Sequence, residues 1–296
     1  METAEAARLR ALGADFAARA GGADAAVDLA DCALRIGRIG DAGLDAARAA
    51  AQLDALAQDA EPRLRDAAPG HRADRLAAVL FDDLGFRGNA DDYYDPQNSY
   101  LHRVIERRLG LPITLSILLI EVGRRLGLTI EGVGAPQHFL VRVTADAEAE
   151  GVPRYLDPFH GGREIDLDAL RDDMARRLSA GRPAAQTGSG AAELFLSAVT
   201  KRQILARVLQ NLKLAGSRRR DFATALGAAE HLVALTPWAI DEIRDRGLIA
   251  AQLGLSDVAL HDLRTYQEQQ PRAPDALQVA HVVEQLERDM PGDRPR

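Results

Sequence analysis

Cysteine is almost absent from this chain of 296 residues. The single cysteine, Cys32, excludes a disulfide within the chain and a zinc site built from clustered cysteines. We interpret Cys32 as a small buried apolar residue, because Leu29, Ala33 and Ile36 flank it at helical spacing. Lysine is also scarce, so arginine supplies nearly all of the positive charge.

Aromatic residues, net positive charge and long apolar runs are lacking too. Aromatics make up only 4% of the chain, which together with abundant alanine favours packed helices over a β-sandwich. The net charge of -7 argues against a general nucleic-acid-binding protein. The longest apolar run, residues 113–122, is interrupted by Thr114, Ser116 and Glu121 and is too short to span a membrane. The N-terminus shows no secretory signal, so we predict a cytoplasmic protein that binds neither nucleic acid nor membrane.

Composition and periodicity predict an α+β protein that ends in an all-α repeat region. The predicted parts are a helical segment packing on the core (1–90), a helix-rich core with a small antiparallel sheet (91–180), a linker of small, polar and glycine residues (181–192), helical repeats (193–290) and a tail (291–296).

A long apolar helix organises the predicted core. Pro112 is a favourable first helical residue and Gly127 a favourable terminator, and the apolar side chains between them cover most of the helical circumference. A preceding helix is predicted from the N-cap Asp95 to residue 109, with Gly110 ending it.

After Gly127 the pattern changes to strands. We predict strands at residues 129–133, 138–143 and 154–157, the last two forming an antiparallel pair. A helix at residues 166–178 is predicted to follow.

A period of 34 residues runs through the last third of the chain. Ala225 and Ala259 are 34 apart, as are Pro237 and Pro271, and Gly247 precedes Ala259 by twelve. This period is typical of tetratricopeptide repeats, whose helix pairs stack to bury their apolar faces. Lys213 stands where the first copy would carry glycine.

Two residues of the predicted strands suit catalysis. An aspartate such as Asp157 can orient the imidazole of His138, leaving its other nitrogen to take a proton from a nucleophile. The missing third member would be a thiol or hydroxyl at the start of a helix, where the helix dipole lowers a thiol's pKa.

Four segments in order resemble the transglutaminase-like superfamily and, within it, the bacterial SirB-type proteins. They are Asn98-Ser-Tyr-Leu-His-Arg-Val104, Gly110-Leu-Pro-Ile-Thr-Leu-Ser116, Gly132-Val-Gly-Ala-Pro-Gln-His-Phe-Leu-Val-Arg142 and Asp157-Pro-Phe-His-Gly-Gly162. The resemblance covers roughly residues 25 to 290 and implies a papain-like core joined to tetratricopeptide repeats.

The resemblance also implies a vestigial catalytic triad. His138 and Asp157 match the histidine and aspartate positions, but Pro112 stands at the cysteine position and offers no nucleophile. Gln137 departs from the glycine expected beside the histidine, which alters the pocket mouth. Ser116 and Thr114 are alternative hydroxyl nucleophiles, although both are interpreted as bonding back to helix carbonyls.

Other interpretations of these side chains stay open. The pair of His138 and Asp157 can be a purely structural buried pair, and His102, His138 and His160 can be weighed as zinc ligands, although their spacing does not support a site. We predict no metal and no cofactor. Asn98, His102, Gln137 and His160 are the predicted binding residues, while Tyr93, Tyr94 and Asn98 are also suited to ordering the loop before the helix.

Two functions follow from this pattern. The first is a non-catalytic binding protein that holds a protein or peptide partner in its core cleft and repeats. The alternative is a residual hydrolase or acyl-transferase acting on amide or peptide bonds, with His138 as base, Asp157 orienting it, and water or Ser116 as nucleophile.

Overall fold

The computed structural model describes residues 3–134, 139–144, 153–172 and 196–289. Its helices are α1 (Ala4–Ala20), α2 (Leu29–Ile36), α3 (Ala46–Ala60), α4 (Arg72–Ala78), α5 (Leu101–Arg107), α6 (Pro112–Arg125), α7 (Lys201–Arg219), α8 (Phe222–Leu235), α9 (Ile240–Gln252), α10 (Ser256–Gln269) and α11 (Ala276–Asp289). Its strands are β1 (Arg87–Gly88), β2 (Leu109–Gly110), β3 (Ile130–Val133), β4 (Leu140–Val143), β5 (Arg154–Asp157) and β6 (Arg163–Glu164). Within these ranges, no helix combines the length and apolar character that crossing a membrane requires.

The chain divides into two compact units. The repeat unit contains Met1–Asp28, Arg35–Leu44 and Ala206–Arg296, and the core unit contains Leu29–Leu34 and Asp45–Leu205. The predicted linker at 181–192 and the tail lie outside the described residues, as does most of the predicted helix at 166–178, of which residues 167–172 are helical.

Helix α6 is the centre of the core unit, as the sequence predicts. It begins at Pro112 after the extended N-cap Leu111, and the chain leaves it through Gly127 in the left-handed conformation. Ten of its residues are buried, because α3, α4, α5 and strands β3 and β4 all pack against it. Gly123 permits the close approach of β3, since a Cβ there would lie 2.6 Å from Ile130 Cδ1.

The sheet of the core unit has the order β3-β4-β5-β6 and is antiparallel throughout. The prediction that the strands around 138–143 and 154–157 pair is confirmed, with Val141 opposite Leu156. The free edge of β3 is partly covered by the segment before α7, where Val199 N donates to Gly132 O at 2.9 Å.

The predicted single helix up to residue 109 is wrong. Pro96–Ser99 is a 3-10 turn capped by Asp95, Tyr100 is extended, and α5 ends at Arg107. Arg108 adopts a left-handed conformation with φ of 57°, and the chain then enters β2, which pairs in parallel with β1. Gly110 is therefore a strand residue. Glycine is required at this position because a Cβ would lie 2.9 Å from Thr114 Oγ1.

The repeat unit confirms the predicted helical period. Helices α8 and α10 begin 34 residues apart, at Phe222 and Ser256, and Ala225 and Ala259 are both fully buried. Gly247 lets α9 and α10 approach, since a Cβ would lie 3.0 Å from Asp262 Cβ. In the first copy, Lys213 stands at the position equivalent to Gly247, and the close contact between helices occurs at Gly216 instead.

The predicted segment 1–90 does not form one body on the core, because α1 lies in the repeat unit along α8. Helix α8 is apolar almost all round, as expected for a helix covered on more than one side. Gly13 of α1 meets its backbone so closely that a Cβ would lie 2.9 Å from Glu230 O. Helices α3 and α4 of the segment, by contrast, pack on α6.

Candidate functional site

The start of α6 holds a proline where the resemblance predicts a nucleophile. Pro112 is the first helical residue and is partly exposed. Thr114 supports this end of the helix: its Oγ1 accepts from Leu111 N at 2.9 Å and donates to Asn98 O at 2.8 Å. The pyrrolidine ring carries no group that can attack an acyl carbon.

The hydroxyl alternatives are engaged as the sequence predicts. Ser116 Oγ donates to Pro112 O at 2.8 Å, and its side chain is buried in the core. Thr114 Oγ1 also lies 3.2 Å from Leu111 O. The interpretation that the hydroxyl bonds back to a helix carbonyl is confirmed for Ser116, whereas the shorter bond of Thr114 goes to Asn98 O, outside α6. Both side chains are buried.

Asn98 has a structural role instead of lining a surface. Its side chain is fully buried, accepts from Asn89 Nδ2 at 3.0 Å and donates to Asp92 O at 2.8 Å. These bonds close the loop between β1 and α5, as the alternative interpretation of Asn98 suggests. With its polar atoms used inside the protein, Asn98 cannot contact a ligand without local opening.

His102 is also buried, on α5, with its ring stacked on Tyr100 at a centroid distance of 6.0 Å. Gln137 and His138 lie outside the described residues, so the pairing of His138 with Asp157 stays a prediction. Within the ranges that the structure describes, no three histidine, cysteine or carboxylate side chains are grouped to hold a metal ion.

Asp157 contacts a histidine that sequence reasoning did not pair with it. Its Oδ2 lies 2.7 Å from His160 Nδ1, while its Oδ1 accepts from Phe159 N at 2.9 Å and His160 N at 3.3 Å. Asp157 thus caps the 3-10 turn Pro158–His160 and fixes the ring at its end. The signal was available, because Asp157 before Pro158 repeats the pattern of Asp95 before Pro96.

The state of Cys32 gives a direct test of thiol chemistry. Cys32 forms no disulfide and is only 1% exposed, and buried thiols are inert. We expect iodoacetamide to leave the folded chain unlabelled and to add one label after urea unfolding, measured by intact mass. Pro112→Cys is the positive control, since its thiol would stand partly exposed at a helix N-terminus. A label on the folded natural chain would contradict this expectation.

The sequence patterns of known families agree with this architecture. The transglutaminase-like superfamily matches residues 47–210, and the tetratricopeptide repeat matches residues 212–284. A UPF0162 protein of Xylella fastidiosa strain Temecula1 is 40% identical over 214 residues, covering 71% of this chain and 73% of the relative. The chain therefore belongs to the bacterial SirB-type family of the transglutaminase-like superfamily.

More distant relatives share parts of this arrangement. Protein SirB1 of Salmonella typhimurium strain LT2 is 29% identical over 204 residues, covering 68% of this chain and 71% of SirB1. F-box only protein 21 of mouse is 32% identical over 149 residues, which are 49% of this chain and 22% of that protein. The crystal structure of menin aligns with 95% of this chain over 70% of the menin chain, at a TM-score of 0.41 and 12% sequence identity. This likeness is too weak to support an argument.

Proposed function

We propose that the chain is a cytoplasmic binding protein whose repeats hold a protein or peptide partner, and whose core performs no thiol-dependent acyl transfer. The observation that carries the proposal is the distribution of exposed apolar side chains. Of the five large hydrophobic residues that are exposed within the described ranges, four lie in the repeat unit: Leu214, Trp238, Leu253 and Leu277.

Trp238 is the strongest candidate for an anchor. It lies in the turn between α8 and α9 and is 71% exposed, and Leu277 at the start of α11 is 87% exposed. Contact of the apolar tryptophan ring with water is unfavourable unless a partner covers it. Tryptophan is also enriched among the residues that contribute most of the binding energy at interfaces. Repeat units of this kind commonly bind extended or helical peptides.

The absence of a thiol nucleophile supports the second part of the proposal. Pro112 starts α6 with a favourable backbone conformation, so this position serves the helix. Ser116 and Thr114 have their hydroxyls on backbone carbonyls. The hydrolase alternative then depends on water activated by His138.

Affinity capture with single variants tests the partner surface. We expect the full-length chain to capture a defined set of proteins from an extract of its own organism. Trp238→Ala should deplete that set about tenfold, because truncating an anchor typically removes 1 to 2 kcal/mol or more of binding energy. Tyr93→Ala, which removes an exposed aromatic residue of the core unit, should leave the set unchanged. The readout is quantitative mass spectrometry of the captured proteins.

Equal capture by the natural chain, Trp238→Ala and Tyr93→Ala would contradict binding through this surface. Depletion by Tyr93→Ala alone would show that the partner binds the core unit instead. Point variants are preferable to a chain cut near Gly190. Such a cut would remove α8, against which α1 packs, and expose the buried Leu9 and Phe16 of α1.

A further inference from the structure

The turn Pro158–His160 presents one imidazole in a fixed orientation. Asp157 is 7% exposed at its side chain and holds His160 Nδ1 at 2.7 Å, whereas the His160 side chain is 64% exposed. An ionised carboxylate only accepts hydrogen bonds, so Nδ1 carries the proton in the neutral ring. The lone pair of the neutral ring is therefore on Nε2, at the edge of the ring that faces away from Asp157.

The backbone around His160 is held on several sides. Gly161 and Gly162 both adopt left-handed conformations, with φ of 81° and 68°, and Gly162 N donates to Asp157 O at 2.7 Å. A Cβ at Gly162 would lie 2.6 Å from the ring of Phe81. Phe81 belongs to the π-helical turn Val79–Asp83 that follows α4, a type of turn found frequently at functional sites. The position of His160 is thus determined by packing as well as by Asp157.

An aromatic surface adjoins the imidazole. The Phe159 and His160 rings meet edge to face at a centroid distance of 5.2 Å, and Phe159 meets Tyr93 in the same manner at 6.1 Å. Phe159 is fixed by β1, because a Cβ at Gly88 would lie 2.5 Å from its ring. Tyr93 is exposed, so an aryl group that reaches Nε2 finds an apolar neighbour.

We propose that His160 is a nucleophile toward activated acyl esters, with aryl esters as the class that the aromatic surface fits. The Nε2 lone pair forms a bond to the acyl carbon, the ester C–O bond breaks, and the aryloxide leaves with the electron pair. The resulting acyl-imidazolium keeps its Nδ1–H on the Asp157 carboxylate, whose negative charge offsets the new positive charge. Water then attacks the acyl carbon, the N–C bond breaks with its electron pair returning to Nε2, the carboxylic acid is released, and the remaining proton of the water goes to the aryloxide. This chemistry uses neither Pro112 nor His138, and it is independent of partner binding by the repeats.

His71 supplies a matched control within the same unit. Its Nδ1 lies 3.1 Å from Asp74 Oδ2, again three residues away, and its side chain is 70% exposed. The same Asp74 oxygen also accepts from Arg154 Nη1 at 2.7 Å. Because Arg154 offsets the charge of Asp74, that carboxylate stabilises a positive imidazole less than Asp157 does.

The first experiment measures 4-nitrophenol release from 4-nitrophenyl acetate by the full-length chain. We expect His160→Gln to lower the protein-dependent rate about tenfold, less than the roughly hundredfold or more that a positioned general acid or base contributes, and His71→Gln to change it less than about twofold. Asp157→Asn should also lower the rate, although the asparagine keeps an oxygen to cap the turn. Its amide N–H would face Nδ1 and favour the tautomer with the proton on Nε2, which removes the nucleophilic lone pair.

A second measurement locates the reaction. Diethyl pyrocarbonate acylates imidazole nitrogens, and mass spectrometry of the digested chain reports each histidine separately. We expect His160 to react faster than His71 in the natural chain and to lose that advantage in Asp157→Asn, with circular dichroism verifying that each variant is folded. A rate unchanged in His160→Gln, an equal loss in His71→Gln, or reaction of His160 no faster than His71 would overturn the proposal.

Discussion

Replacing Arg246 by methionine is expected to destabilise the repeat unit by about 3 to 5 kcal/mol, the cost of leaving buried charges without their partner. Arg246 Nε and Nη2 donate to the two carboxylate oxygens of Asp262 at 2.7 and 2.8 Å. Its Nη1 donates to Glu230 Oε2 at 2.9 Å. The two carboxylates are almost fully buried, with side-chain exposures of 1% and 4%.

These three groups link α8, α9 and α10, so their interaction joins consecutive repeats. Arg246 and Asp262 also line a cavity of about 450 Å³ with Arg10 of α1. Arg10 Nε is 3.8 Å from Glu230 Oε1, too far to replace the hydrogen bonds that Arg246 makes. After Arg246→Met, Asp262 would have no cation in direct contact among these residues.

The measurement is urea unfolding followed by circular dichroism, with Arg264→Met as the matched control. Arg264 pairs with Glu287 at 2.7 Å in the same unit, but both side chains are about half exposed, so its loss should cost less than about 1 kcal/mol. Adding Glu230→Gln and Asp262→Asn to Arg246→Met should recover part of the lost stability, because the unpaired charges are then gone. Equal costs for the two arginine variants would mean that the network contributes no more than a surface pair.

The sequence is most informative where local chemistry decides the structure. Pro112 and Gly127 bound α6 because their backbone preferences act within one turn. The repeat period is equally readable, since Ala225 and Ala259 must be small wherever two helices approach closely. Family resemblance then adds the order of the two regions, which the matches to known families confirm.

The sequence does not show in the same way which of several equivalent surfaces or side chains a residue contacts. The apolar face of α1, with Leu9 and Phe16, shows that the helix must pack on another surface, but not that the surface is α8. Asp157 presents the same difficulty. The resemblance pairs it with His138, which lies outside the described residues, but gives no sign of the bond to His160 within its own turn. An aspartate before a proline favours such a local bond, and the orientation of the histidine depends on Phe81 and Gly162, which the pattern alone does not connect.

Acidification is expected to destabilise the repeat unit through His231. This residue lies in α8, its ring packs against Phe16 of α1 at 5.1 Å, and its Nδ1–H donates to Gly227 O at 2.7 Å. Burial lowers the pKa of His231 from 6.5 to about 4, and the bond to Gly227 and the charge of Asp15 only partly oppose this shift. The folded state therefore keeps His231 neutral over a pH range in which the unfolded chain binds a proton.

The sign of the effect follows from this difference in proton binding. The unfolded state binds more protons between the two pKa values, so stability is complete above about pH 6.5 and is lost as the pH falls toward about 4. At about pH 5 the loss of stability attributable to His231 should be about 2 kcal/mol relative to about pH 7.5, from 1.36 kcal/mol per unit of pKa difference.

His231→Leu removes the titrating group while keeping an apolar side chain against Phe16. Urea unfolding at the two pH values should show that this variant loses about 2 kcal/mol less on acidification than the natural chain, whereas His281→Gln, a change at an exposed histidine of α11, should behave as the natural chain does. The same pH dependence in His231→Leu and the natural chain would show that other groups cause the acid sensitivity.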